Sequence, residues 1–114
     1  MHTQEMGTLD VHSEWKDVKV LNPMAGNNKD YIKEIENYIH DIRYVDIVGV
    51  SAGFDSYKKD MGKKLTTFDF YLIGRLIKKF TKRMGHGRRF AILEGGYYLP
   101  DLGKNVLAFC QGFE

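Results

Sequence analysis

The 114-residue chain contains a single cysteine, Cys110, so it cannot form an internal disulfide. One unpaired thiol fits the reducing conditions of the cytoplasm. No apolar run approaches the ~18 residues needed to cross a bilayer, and the N-terminus lacks the apolar core of a signal peptide. We therefore expect a soluble, cytoplasmic protein without a membrane partner.

Neither sign of charge dominates, because 17 Lys and Arg residues stand against 15 Asp and Glu residues, giving a net charge of +2. Basic residues cluster at 58–64 and 78–89, and we interpret both clusters as solvated helix surface and loops. We do not expect nucleic acid as a partner. The length indicates one domain, and the hydrophobic fraction of 43% is sufficient for a core.

The first part of the chain offers two weak elements and one clear one. Residues 1–16 show no sustained period, so we expect an irregular segment before a domain at 17–114. Alternating polar and apolar residues predict a short strand at 17–21. Isoleucines at positions 32, 35, 39 and 42 fall on one face of a helix from about 29 to 42, which Asn27 or Asn28 can cap.

The remaining elements alternate between strand and helix. The Val- and Ile-rich run at 44–51 is typical of a strand buried in a parallel sheet. A capping-box-like start at Thr66 and Asp69 opens a helix that ends near Gly85. A strand at 89–93 and a helix from Pro100 or Asp101 complete a β-α-β-α-β-α order. This order predicts a three-layer α-β-α fold of the α/β class, with a short, mostly parallel sheet whose edges are open.

Two of the predicted strands are followed by residues capable of chemistry. Asp55 comes after the central strand, and Gly95, Gly96 and Tyr97 come after the last one. The carboxyl ends of parallel strands share one edge, so we expect these residues to lie close together. A carboxylate suits a divalent metal, and a tyrosine hydroxyl can donate to a developing oxyanion. Each residue alone is also compatible with a turn or a cap. Together they favour metal-assisted hydrolysis of an acyl bond.

The order of these motifs resembles the C-terminal part of the zinc-dependent histone deacetylase and acetylpolyamine amidohydrolase family. The matching motifs are Asn22-Pro23-Met24-Ala25-Gly26, Ser51-Ala52-Gly53-Phe54-Asp55, Asp60-Met61-Gly62, Leu65-Thr66 and Leu93-Glu94-Gly95-Gly96-Tyr97. The resemblance covers about residues 18–113. It implies the arginase-deacetylase fold, zinc as the cofactor, and an acetylated lysine or polyamine as the substrate.

The resemblance also implies a role for each residue after the strands. Asp55 matches the family's zinc-binding aspartate. Tyr97 matches the tyrosine that polarises the acetyl carbonyl and stabilises the tetrahedral intermediate. Gly95 and Gly96 match the glycines that line the channel for the acyl-lysine side chain.

Other parts of the family's machinery have no clear counterpart. The family takes two more zinc ligands from an Asp-x-His motif and uses adjacent histidines as general acid and base, but this sequence has no His-His pair. Asp10 and His12 have the Asp-x-His form, although no apolar strand precedes them and their spacing to Asp55 is much shorter. They are either an unrelated loop or the missing zinc ligands.

We therefore expect the C-terminal portion of a deacetylase-like protein that is inactive by itself. It would be a truncated product, a split protein completed by a partner, or an excised fragment. The alternative is a non-catalytic α/β domain that self-associates or completes a partner chain through its open sheet edge.

Overall fold

The structure, a computed structural model, describes residues 18–114. Its elements in chain order are α1 (Asn28–His40), β1 (Val48–Ala52), a 3-10 turn (Phe54–Ser56), α2 (Thr67–Arg83), β2 (Arg89–Leu93) and α3 (Leu99–Phe113). The two strands pair in parallel, with Val48 opposite Arg89 and Ala52 opposite Leu93, and α2 lies between them in the chain. The predicted α/β class with a short parallel sheet is confirmed.

The starts of the first two helices follow their local sequence signals. The Asn27 side chain accepts a hydrogen bond from the Asp30 backbone N–H at 2.9 Å and caps α1. At α2, the Thr66 hydroxyl accepts from the Asp69 N–H at 3.2 Å, and the Asp69 carboxylate accepts from the Thr66 N–H at 2.7 Å. This reciprocal pair is the predicted capping box. Both caps satisfy backbone groups that the first helical turn leaves without partners.

The predicted strand at 17–21 is wrong for residues 18–21, which form neither strand nor helix, and Asp17 lies outside the described residues. Val18 and Val20 are both exposed. An alternating pattern becomes a strand only where a neighbouring strand is available for hydrogen bonding. Within residues 18–114 the sheet contains β1 and β2 alone. The central strand also begins later than predicted, at Val48 instead of position 44.

The core lies between one face of the sheet and the helices. Val50 and Ala52 project from β1 into a cluster of buried side chains, namely Tyr31, Ile35, Phe54, Tyr57, Leu65, Phe70, Ile73, Ile77 and Phe109. Helices α2 and α3 pack closely at two glycines. A methyl group at Gly74 would overlap the Phe109 carbonyl, and one at Gly112 would overlap the Tyr71 carbonyl. This close packing fixes α3, and with it the turn that leads from β2 into α3.

The outer side of β2, which we define as Phe90 and Ile92, is open. These two side chains are 47% and 56% exposed. Within the described residues, β2 pairs with a strand on one side only. Parallel sheets normally have both faces covered, so this surface has the composition of a sheet interior without its cover. In residues 18–114 no helix combines the length and apolar character required to cross a membrane.

Candidate functional site

Asp55 lies in the 3-10 turn that directly follows β1. The backbone there is hydrogen-bonded to the end of β2: the Phe54 N–H donates to the Gly95 carbonyl at 2.8 Å, and the Glu94 N–H donates to the Ala52 carbonyl at 3.1 Å. The Asp55 carboxylate packs against Gly95, since a methyl group there would lie 3.2 Å from both Cγ and Oδ1 of Asp55. The structure thus brings together the residues predicted to bind metal and substrate.

The turn after β2, residues 95–98, has a shape that depends on glycine. Gly96 has a φ of +145°, a backbone angle that residues other than glycine rarely adopt. A methyl group at Gly96 would also lie 2.7 Å from Cδ1 of Leu102 and 3.1 Å from Cβ of Phe54. Tyr97 follows, and its side chain is 63% exposed. The predicted substrate-binding glycines and the predicted catalytic tyrosine therefore occupy the same sheet edge as Asp55.

Asp60 also contributes to this edge, through contacts that the sequence did not predict. Its side chain is 7% exposed. Oδ2 accepts hydrogen bonds from the backbone N–H groups of Tyr97 at 2.7 Å and Tyr98 at 2.8 Å, and Oδ1 accepts from Met61 at 2.7 Å. Burial opposes ionisation, but these three hydrogen bonds outweigh it and hold the pKa of Asp60 below its usual value. No local sequence signal predicts a contact across 37 residues.

A second link joins the loop after Asp55 to the first turn of α3. The Tyr57 hydroxyl donates a hydrogen bond to Oδ2 of Asp101 at 2.6 Å. This bond is the main reason that the pKa of Tyr57 is raised and that the pKa of Asp101 is lowered. Lys104 and Lys59 also approach Asp101, at 3.6 Å and 4.0 Å. The loop is therefore anchored to α3 as well as to the 95–98 turn.

Tyr31 of α1 lies on the core side of the site. Its side chain is almost fully buried, and its hydroxyl has no hydrogen-bond partner within residues 18–114. Burial raises the pKa of Tyr31, and the negative charges of Asp55 and Glu34 raise it further. In the sequence Tyr31 gave no indication of this environment, because the predicted apolar stripe of the helix consists of the isoleucines at 32, 35, 39 and 42.

A catalytic zinc requires three protein ligands and one open position. In the part of the chain that the structure describes, no three His, Cys, Asp or Glu side chains are grouped so that they could hold a metal ion. His40 is exposed beside Asp41, and Nε2 of His86 lies 2.7 Å from the carbonyl oxygen of Val45. Residues 18–114 thus offer Asp55 as a single candidate donor and do not by themselves fit a catalytic zinc. Asp10 and His12 lie outside the described residues.

Two curated proteins are similar to this chain over a small part of their own length. Type-2 histone deacetylase 2 of Dictyostelium discoideum is 29% identical over 102 residues, which is 82% of this chain and 6% of that protein. The chloroplastic histone deacetylase 14 of Arabidopsis thaliana is 38% identical over 63 residues, or 54% of this chain and 15% of that protein. The chain therefore spans less than a fifth of either relative.

Similarity extends to a solved structure and to a family-wide pattern. The crystal structure of acetylpolyamine aminohydrolase from Burkholderia pseudomallei superposes with a TM-score of 0.68 at 28% identity, covering 82% of this chain and 28% of that one. The family model of the histone deacetylase domain matches residues 3–113. By this match over nearly its whole length, the chain belongs to the histone deacetylase family.

Proposed function

We propose that this chain supplies one edge of a deacetylase-type active site that hydrolyses N-acetyl groups on lysine or polyamine amines. One observation carries the proposal: the Asp55 carboxylate packs against Gly95, two residues before Tyr97. The substrate class is suggested by the names of the similar proteins, which are histone deacetylases and an acetylpolyamine aminohydrolase.

In this proposal the three parts of the edge have separate tasks. The Tyr97 hydroxyl donates a hydrogen bond to the acyl oxygen and stabilises the negative charge that develops there. Gly95 and Gly96 let the backbone of the turn lie close against Asp55 and Phe54, and the acylated side chain is proposed to lie along this backbone. Asp55 is the one described residue offered as a zinc ligand. The other ligands and the general acid and base come from polypeptide that lies outside this chain, so the isolated chain is inactive.

The outer side of β2 is the surface proposed to receive the completing polypeptide. A strand added there in parallel would pair the free edge of β2. Polypeptide packed on the face of the sheet would cover Phe90 and Ile92. Apolar residues of sheet-interior character are exposed at this position. The same surface favours a second candidate function, in which two copies of the chain associate and no catalysis occurs.

The catalytic proposal is tested by acetate release from an acetyl-lysine peptide and from an acetylated polyamine, with zinc added. The chain alone is expected to release none. When the purified chain is added to extract of the cells that express it, we expect more acetate release than from the extract alone. Tyr97→Phe should lower this additional release by about 100-fold. Tyr44→Phe is the matched control, because Tyr44 is exposed and precedes β1. An undiminished increment with Tyr97→Phe would refute the role of Tyr97.

The non-catalytic candidate is tested by light scattering of the purified chain. It predicts a dimer that dissociates when Ile92 is replaced by lysine. A monomer at all concentrations, together with Tyr97-dependent acetate release, would exclude it.

A further inference from the structure

We infer that Asp60 is a positioning residue that fixes the 95–98 turn, and through it Tyr97, relative to Asp55. The importance of this for catalysis rests on the proposed function, since that function assigns Tyr97 to the acyl oxygen. The contact itself is independent of any activity, so the two claims can fail separately.

The contact that carries the inference joins one carboxylate oxygen to two consecutive peptide groups. Oδ2 of Asp60 accepts from the N–H groups of both Tyr97 and Tyr98, at 2.7 and 2.8 Å. A carboxylate can only accept hydrogen bonds, and bonds to an ionised acceptor are stronger than neutral ones. Two neighbouring N–H groups directed at one anion restrict the backbone dihedral angles between them. The backbone that bears the Tyr97 side chain is therefore fixed by Asp60.

Tyr97 needs such an anchor because its side chain does not pack into the core. The ring is 63% exposed, whereas the neighbouring Tyr98 packs against the core cluster and lies 6.0 Å from the Tyr57 ring, centroid to centroid. Gly95 and Gly96 precede Tyr97, and glycine permits many backbone conformations. A flexible pair of glycines followed by an exposed ring would leave the hydroxyl poorly positioned without a contact to the backbone.

Asp60 is itself held by the 57–65 loop, which is bonded to the backbone of the Asp55 turn. The Gly62 N–H donates to the Asp55 carbonyl at 2.7 Å, and the Leu65 N–H donates to the Ser56 carbonyl at 2.8 Å. A methyl group at Gly62 would lie 2.6 Å from Cα of Ser56. The loop thus connects the residue proposed to bind metal to the residue proposed to bind the acyl oxygen.

Asp60 could instead serve only its own loop, through the bond from the Met61 N–H. The two roles predict different consequences for Asp60→Asn. If Asp60 positions the turn, amide hydrogen exchange at Tyr97 and Tyr98 should accelerate at least about tenfold, while amides in the middle of α2 change less than about twofold. The amide proton resonances of Tyr97 and Tyr98 should also shift upfield, because Asp60→Asn removes the charged acceptor.

The matched control is Asp41→Asn, since the Asp41 side chain is almost fully exposed and contacts His40. It should leave exchange at Tyr97 and Tyr98 unchanged. Unchanged exchange at these two amides in Asp60→Asn would overturn the inference. So would an equal acceleration throughout the chain, since Asp60 would then stabilise the whole fold instead of the turn.

A measurement on the unaltered chain covers the case in which Asp60→Asn does not fold. Scalar couplings across the hydrogen bonds should connect the amide nitrogens of Tyr97 and Tyr98 to Cγ of Asp60. Their presence supports the inference, and their absence in a well-resolved spectrum overturns it.

The acetate-release assay then separates this inference from the proposed function. Asp60→Asn should lower kcat about tenfold with KM changed less than about twofold, and should add little to the effect of Tyr97→Phe, because Asp60 acts through Tyr97. If Tyr97→Phe lowers the rate and Asp60→Asn does not, the inference fails and the proposed function stands. If neither substitution lowers the rate but the exchange data agree with the inference, the proposed function fails and the structural contact remains.

Discussion

Two regions of the molecule differ in how completely the described chain builds them. One is the strand-end edge, which we define as Asp55 and the 95–98 turn, and the other is the outer side of β2. At the strand-end edge, Asp55 and the 95–98 turn are held by a dense set of backbone and carboxylate hydrogen bonds. On the outer side of β2, the side chains of Phe90 and Ile92 remain exposed. Residues 18–114 therefore determine the shape of the site by themselves, but they do not cover the exposed side of the sheet.

The largest effect should come from breaking the strand-end edge at Gly62. Gly62→Ala places a methyl group 2.6 Å from Cα of Ser56 and 2.8 Å from the Asp55 carbonyl oxygen, so the backbone must move. We expect the free energy of unfolding to fall by about 2–3 kcal/mol, measured by urea denaturation. Gly26→Ala is the control, because a methyl group there meets nothing within 4 Å. Equal denaturation midpoints for the two variants would show that the loop does not need its close approach to the Asp55 turn.

A smaller effect should appear on acidification, again at the strand-end edge. The folded-state pKa values of Asp60 and Asp101 are lowered, so their stabilisation is present above the usual carboxyl pKa of about 4 and decreases as the pH falls through the folded-state values. The Tyr57 hydrogen bond is the main cause at Asp101. Tyr57→Phe should therefore make the acid loss of stability shallower, as measured by urea midpoints between neutral and acidic pH. An unchanged acid slope would count against the Tyr57–Asp101 link.

The smallest effect on stability should come from the outer side of β2. Ile92→Lys should change the free energy of unfolding of the isolated chain by less than about 0.5 kcal/mol, because the side chain is 56% exposed. It should nevertheless abolish association with the completing polypeptide or with a second copy. Leu107→Lys on α3, where the side chain is 57% exposed, is the matched control and should associate normally. Equal association of both variants would place the interface elsewhere.

Elements with local signals could be predicted from the sequence. Asn27 caps α1, and Thr66 with Asp69 opens α2, because these side chains bond to backbone groups three residues away. The strand at 89–93 was predicted with its observed bounds. Asp55 and Gly95 could be expected at one edge, because parallel strands align their carboxyl ends.

Features that depend on distant partners could not be predicted. The alternating pattern at 17–21 suggested a strand, but strand formation depends on a neighbour that the described residues do not supply. The role of Asp60 depends on Tyr97 and Tyr98, and that of Tyr57 depends on Asp101. In the sequence these residues read as part of a polar loop, since the spacing of Asp60 from Tyr97 carries no periodic signal.

The central claim is that this chain holds part of a deacetylase-type site and that polypeptide outside it supplies the rest. Its most direct test is the zinc content of the purified chain after saturation with zinc and dialysis against metal-free buffer, compared with Asp55→Asn. The account predicts well under one zinc per chain for both proteins, because it assigns no ligand role to Asp10 and His12 and residues 18–114 offer one carboxylate where a catalytic zinc needs three ligands. One zinc per chain in the wild type, lost in Asp55→Asn, would contradict the account and show that the chain builds a complete metal site.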